Sequence, residues 1–320
     1  MKTDLMTATF LTAMTACVLG GCVSSGNSQS PDHSSLIAPG AALDAHTHFI
    51  SQPLLDQLTG GGVPTGGAED LIAHLDAANI DKAVVLGLGY WALPDDSNVA
   101  AENDFTATEV AKFPERLVGF CGINPRFDSA LDEIDRCLSH PNMLGIKLQG
   151  GDYDWTDTDL VSRISAVLDR AGEIGAPVML HVSGEPLDSA AMRNVLETLG
   201  ANQETRITIA HAGGSADWET EIYLITQSLV PPLLDARNLY MDLSSSLKFY
   251  QDAPLSKREV MVWRFRKWGI DKLFFGSDYL RIAPQQTPVE ALETLTKYPF
   301  TQQELDTILG NDGSAWLYGN

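Results

Sequence analysis

The stretch Asp44-Ala45-His46-Thr47-His48-Phe49 follows the apolar run Ala41-Ala42-Leu43 and carries two histidines two positions apart. In an extended strand, residues i and i+2 point to the same face. A strand here aims both imidazoles at one point, as two ligands of a transition metal require. Ordinary strand-end histidines can also be spaced this way, so the meaning of the pair depends on the rest of the chain.

Working outward, one pattern repeats. Short apolar runs alternate with windows of helical period. The strand candidates are 42–49, 83–89, 117–123, 145–149, 177–182, 207–212, 240–244 and 273–277. Between them lie helix candidates at 68–79, 100–113, 129–138, 158–174, 188–199 and 257–268. In the fourth of these, Leu160, Ile164, Val167, Leu168 and Ala171 fall on one stripe. Strands alternating with helices imply parallel pairing through crossovers. Eight such units within residues 41–320 predict an α/β fold, a (β/α)8 TIM barrel. An open doubly wound sheet is the competing arrangement, but no Gly-x-Gly-x-x-Gly loop follows an early strand.

The polar residues stand at the C-terminal ends of these strands. His46 and His48 end the first, Lys147 and Gln149 the fourth, His181 the fifth, His211 the sixth and Asp278 the eighth. Four of the seven histidines are at such ends. In a barrel all eight ends converge on one mouth, where active sites are built. The other three histidines read differently. His33 lies in a polar segment, His74 in a helix, and His140 at a helix end, where a cation suits the dipole.

Five motifs together resemble the amidohydrolase superfamily. They are the His-x-His of strand one, Gly145-Ile146-Lys147-Leu148, His181-x-x-Gly184, Ala210-His211-x-Gly213-Gly214 and Phe275-Gly276-Ser277-Asp278. The resemblance is to the branch that contains small-molecule hydrolases, lactonases and the aminocarboxymuconate-semialdehyde type of decarboxylase. It implies that His46, His48, His181 and Asp278 hold one divalent metal ion, usually zinc; for this chain zinc is expected, with manganese as the alternative. It implies that Asp278 and His211 are the catalytic residues, with His211 beside the metal rather than on it. Lys147 stays open between a carboxylated lysine bridging two metals, as in binuclear members, and an unmodified lysine beside one metal. The residue after Lys-Leu is often a histidine in this branch, whereas Gln149 stands here.

Zinc takes imidazole and carboxylate ligands and keeps a position open for water when catalytic. Two enzymatic readings follow: metal-activated water attacking an amide, cyclic amide or lactone, or nonoxidative decarboxylation of a small acid. A third reading is a ligand-binding envelope protein without turnover, which usually lacks a ligand or the second histidine; none is lacking here. Trp91, Arg126, Lys147 and Gln149 are the substrate-binding candidates, with Tyr90, Asn124, Trp155, Ser244 to Ser246 and Arg281 at other strand ends.

The N-terminus reads as a processed segment. Residues 1–21 form a weakly basic start and an apolar, Thr-rich run ending in Val18-Leu19-Gly20-Gly21, directly before Cys22. This resembles a bacterial lipoprotein signal, with Cys22 lipidated and 22–40 a polar tether. The expected location is the cell envelope, outer membrane facing the periplasm, as Val23 rather than Asp follows the cysteine. The net charge of −21 disfavours binding to nucleic acid or to an anionic bilayer, so membrane contact is expected through the lipid alone. Oligomeric state is not legible. Cys121 lies in an apolar strand and Cys137 at helical spacing with Leu131, Ile134 and Leu138, so each is expected to be a separately buried apolar residue.

Overall fold

The computed structural model describes residues 43–91, 96–182, 189–213, 238–281 and 286–319. Residues 1–40, with Cys22 and the expected signal and tether, lie outside them, as do Gly184 and Gly214. Eight parallel strands run in sequence order: β1 Leu43–His48, β2 Lys82–Leu86, β3 Leu117–Ile123, β4 Met143–Gln149, β5 Val178–His181, β6 Ile207–Ile209, β7 Leu239–Asp242 and β8 Leu273–Phe274. The sheet closes on itself. Ala45 N–H donates to Phe275 O at 2.9 Å, Asp278 N–H to His46 O and His48 N–H to Tyr279 O, both at 2.8 Å. This is the (β/α)8 barrel the periodicity predicts.

Helices form where the sequence caps them. Asp157 accepts from the N–H groups of Asp159 and Leu160 and starts Thr158–Ile174, whose stripe Leu160, Ile164, Val167, Leu168, Ala171 is buried. Gly175, at φ 69°, ends that helix in the left-handed conformation only glycine adopts freely. Thr287 and Thr301 each open a helix with a reciprocal Glu three residues on.

The apolar side chains form two main layers and a smaller cluster around Leu54, Leu88 and Leu280. One layer packs strands against helices. The other fills the barrel interior, where Phe120, Met179, Tyr240 and Phe274 meet Trp316 of the C-terminal helix Ser314–Tyr318. Trp316 lies 5.2 Å from Phe120 and 5.3 Å from Phe274 by ring centroids, which plugs the barrel below the polar mouth.

Three expectations need correcting. β6 stops at Ile209 rather than at residue 212, because His211 and Ala212 take positive φ and turn the chain. β8 is two residues long, and its continuation bonds to β1 instead of β7. Cys121 and Cys137 are both fully buried but not separate: they form a disulfide, with Cα atoms 6.1 Å apart. The cause is the right-handed crossover, which lays helix Ala130–Cys137 back on β3 and faces its buried edge to the outward side of that strand. The bond spans 16 residues, a loop whose closure is worth about 3 kcal/mol in the chain-entropy account. Replacing both cysteines by alanine is expected to lower the melting temperature by roughly 5–10 °C. An unchanged transition by calorimetry would show that the bond does not form in solution.

Candidate metal centre

β1 carries an irregularity. Asp44 and Thr47 align with Ala83 and Val85 of β2, so two residues of β1 face one of β2. Such a bulge re-aims side chains, and bulges concentrate beside active sites. Past it, His46 and His48 converge, with their Nε2 atoms 3.1 Å apart. Asp278 Oδ1 lies 3.4 Å from the first and 3.3 Å from the second.

The proton positions follow from what each ring faces. His46 Nδ1 lies 3.0 Å from Asp242 Oδ2, and His48 Nδ1 lies 2.9 Å from Leu86 O. A carboxylate and a carbonyl accept hydrogen bonds, so both rings carry their proton on Nδ1. Each Nε2 is then a bare lone pair. Burial, and then the charge of Lys147, hold the His46 pKa well below its usual value, so the ring does not take a second proton. With those tautomers, two lone pairs and a carboxylate oxygen crowd one point. Ligand–metal bonds of about 2.0–2.2 Å give ligand–ligand edges of roughly 3.0–3.4 Å in octahedral or tetrahedral sites. The donor set fits a divalent cation.

A second group, His46, His211 and Asp242, also has its ligand atoms within 4.8 Å of one another, but hydrogens fill it. Asp242 Oδ2 takes the His46 proton. Asp242 Oδ1 accepts from Ser244 Oγ–H, from Ser244 N–H at 2.9 Å and from His211 N–H at 3.3 Å. His211 Nδ1 in turn lies 2.9 Å from Ser244 Oγ. Asp242 is therefore a hub that orients His46 directly and His211 through Ser244. Burial raises its pKa, against the pull of His211, Ser244 and Lys147.

His211 is 4% exposed, and its ring stacks on His46 at 4.5 Å. Burial lowers its pKa to about 4 despite the attraction of Asp278. It is therefore neutral at neutral pH. The His181 ring stands edge-on to it at 4.8 Å. Asp278 is the opposite case: burial raises its pKa, but His211, His48 and His46 outweigh that and hold it well below the usual carboxylate range. Lys147 is 1% exposed, and burial draws its pKa down to about 8, against Asp242 and Asp278.

Strain marks the same place. Six described non-glycine residues have positive φ. Asn79 and Asn142 are asparagines, which tolerate it. The other four, His211, Ala212, Ser245 and Asp278, all follow the ends of β6, β7 and β8. Non-glycine residues persist in such conformations where their surroundings over-determine them, as around active sites.

The substrate candidates are more spread out. Gln149 stands in register with His181, and its Oε1 is buried with no hydrogen-bond partner among the described residues. Trp91 packs edge-on against Tyr90 at 5.5 Å, beside an apolar cluster with Leu54 and Leu280. Arg126 places its guanidinium 5.0 Å above the Tyr153 ring. Trp155 is structural: its indole N–H donates to Val182 O at 2.8 Å. A cavity of about 320 Å³ lies off the histidine cluster, beside the end of β3, lined by Ile123, Asn124, Phe127 and Arg136 among others. None of its lining residues belongs to the cluster, so its size does not make it the reaction centre.

Two buried acids escaped the sequence reading. Asp242 ends the apolar run Leu239-Tyr240-Met241, the same signal that marked the histidines. Asp44, whose pKa burial pushes up to about 7, accepts from Ser277 N–H at 3.0 Å and Ser277 Oγ–H at 2.6 Å. It pins the residue that precedes Asp278. Asp242→Asn, which keeps the shape but weakens the hold on the His46 proton, is expected to weaken Mn²⁺ binding about 10–100-fold. Titration calorimetry checks it; unchanged affinity would remove Asp242 from the site.

The amidohydrolase family model matches residues 43–311, and the chain belongs to that family. A curated relative, the 2-amino-3-carboxymuconate-6-semialdehyde decarboxylase of Dictyostelium discoideum, is 22% identical over 273 residues, covering 77% of this chain and 75% of the relative. Among solved structures, a probable 2-pyrone-4,6-dicarboxylic acid hydrolase from Acinetobacter baumannii, holding citric acid, aligns with a TM-score of 0.61 at 17% identity, over 87% of this chain and 99% of that one. A 5-carboxyvanillate decarboxylase from Novosphingobium aromaticivorans, complexed with manganese and 4-hydroxy-3-methoxy-5-nitrobenzoic acid, aligns at 0.60 with 14% identity, over 92% and 99%. These structural likenesses establish the shared barrel.

Proposed function

We propose that the chain is a metal-dependent, nonoxidative decarboxylase of a small aromatic or unsaturated carboxylic acid. The observation that carries this is the close approach of His46 Nε2, His48 Nε2 and Asp278 Oδ1 at the mouth, with a buried ammonium, Lys147, near enough to lower the His46 pKa. Among the described residues that ammonium makes no hydrogen bond, and a substrate carboxylate would pair with it. The decarboxylase expectation gains over hydrolysis because the curated relative and the manganese-containing neighbour are both decarboxylases.

His46, His48, His181 and Asp278 would hold one divalent ion, zinc or manganese. When bound, the ion supplies Lewis-acid stabilisation of developing negative charge. The protein's own residues do the rest. Asp242 and Leu86 O keep the histidine lone pairs outward. Lys147 and Gln149 would orient the acid, with Trp91 and Arg126 on the mouth walls. Loss of carbon dioxide breaks a C–C bond and leaves its electron pair on carbon, which then takes a proton. That proton comes from solvent: His211, neutral with Nδ1 tied to Ser244, has Nε2 free to take it up and pass it to the carbon, and the ionised Asp278 is the second group able to relay it.

The test is a panel of aromatic and unsaturated acids with the manganese-loaded protein, read by carbon dioxide release. One carbon dioxide per substrate is expected. Hydrolysis of a lactone without carbon dioxide would favour the second reading, which rests on the hydrolase neighbour.

We also propose export and lipid anchoring at Cys22. The disulfide supports this, since such bonds persist in oxidising compartments. No helix of the described residues is long and apolar enough to cross a membrane. Cys22→Ala is expected to move the protein from the membrane to the soluble envelope fraction. Continued fractionation with membranes would refute the anchor.

A further inference from the structure

Three consecutive serines follow β7, and each hydroxyl serves a different part of the cluster. Ser244 Oγ–H donates to Asp242 and its oxygen lies 2.9 Å from His211 Nδ1. Ser245 Oγ–H donates to Asp278 Oδ2 at 2.6 Å. Ser246 Oγ–H donates to the backbone carbonyl of His211. One turn thus braces both His211 and Asp278.

The backbone that presents these hydroxyls is a γ-turn. Ser246 N–H donates to Ser244 O, and between them Ser245 sits at φ 55°, ψ −46°. Positive-φ γ-turns are rare and strained, and no glycine is present to relieve this one. Asp278 is itself at φ 57°. Two strained backbones therefore meet at one hydrogen bond, between Ser245 and Asp278.

A carboxylate turns easily about its terminal torsion, which is broad and roughly two-fold. Left alone, Asp278 could present either oxygen to the histidines. Here Oδ1 faces His46 and His48 at 3.4 and 3.3 Å, while Oδ2 is held from behind by the serine. We infer that Ser245 is a positioning residue: the γ-turn fixes its hydroxyl on Asp278 Oδ2, so that Oδ1 is the oxygen presented to the metal. This rests on the metal centre proposed above and adds the device that orients its carboxylate. Local strain is the means by which a short serine reaches across.

The experiment compares wild type, Ser245→Ala and Ser245→Gly after metal stripping. Mn²⁺ dissociation constants come from titration calorimetry, and melting temperatures are taken metal-free. Both variants are expected to bind Mn²⁺ about 10–100-fold more weakly than wild type, the usual effect of losing a partner behind a ligand. Both lack the hydroxyl, so the difference between them isolates the strain. Ser245→Gly should melt about 2–4 °C above Ser245→Ala, since glycine accepts positive φ and alanine does not. A merely structural serine would lower both melting temperatures and leave Mn²⁺ affinity within about twofold of wild type, which overturns the inference. Glycine melting below alanine overturns the strained-turn account. Wild type that binds no Mn²⁺ overturns the metal centre and this inference with it, a result distinct from a wild type that binds and variants that bind equally.

Discussion

Asp278→Ala is expected to lose both metal and turnover, the latter by at least about 10³-fold. The substitution deletes the carboxylate oxygen that lies 3.3 Å from His48 Nε2 and 3.4 Å from His46 Nε2. Without it, two bare lone pairs 3.1 Å apart are left with one negative group fewer to favour a cation between them. One of the two proposed proton relays at the mouth goes as well. Asp278 has a third role. Its backbone N–H donates to His46 O and helps close β8 onto β1, a bond that alanine keeps. The variant should therefore fold, although alanine is less at ease at φ 57° than aspartate. Elemental analysis and a turnover assay separate the two losses. A variant that keeps stoichiometric manganese would show that the histidines suffice, and would move Asp278 out of the ligand set.

How much of this was readable before the structure depends on the kind of signal. The barrel was legible because apolar runs and helical stripes are local, and the stripe Leu160 to Ala171 is buried as its spacing requires. His46, His48, His211 and Asp278 were legible because each is a polar group abruptly ending an apolar run. Asp242 ends such a run too, but the serines behind it make the strand end look like ordinary loop chemistry. Only the 3.0 Å contact to a residue 196 positions away reveals its task. The disulfide was missed because each cysteine satisfies a local pattern on its own. Their pairing arises only when the helix folds back on β3. The short β6 and the γ-turn at Ser245 were missed for another reason. Both depend on positive φ at His211, Ala212 and Ser245, residues that normally avoid it; Gly213 follows the first turn but does not mark where the strand stops.

His211→Ala is expected to separate the proposed proton relay from the proposed metal ligands. The ring is bound from behind, with Nδ1 2.9 Å from Ser244 Oγ and the backbone N–H on Asp242. Its face stacks on His46 at 4.5 Å, so it lies beside that ligand rather than across from it. The hydrogen-bonded group it forms with His46 and Asp242 already has its protons and needs no ion. Removing the ring leaves the lone pairs of His46 and His48 and the Asp278 oxygen in place. Manganese affinity is therefore expected to stay within about threefold of wild type, while turnover falls roughly a hundredfold or more, the usual weight of a positioned acid–base group. If His211→Ala instead empties the site of manganese while Asp278→Ala retains it, the two residues have exchanged roles.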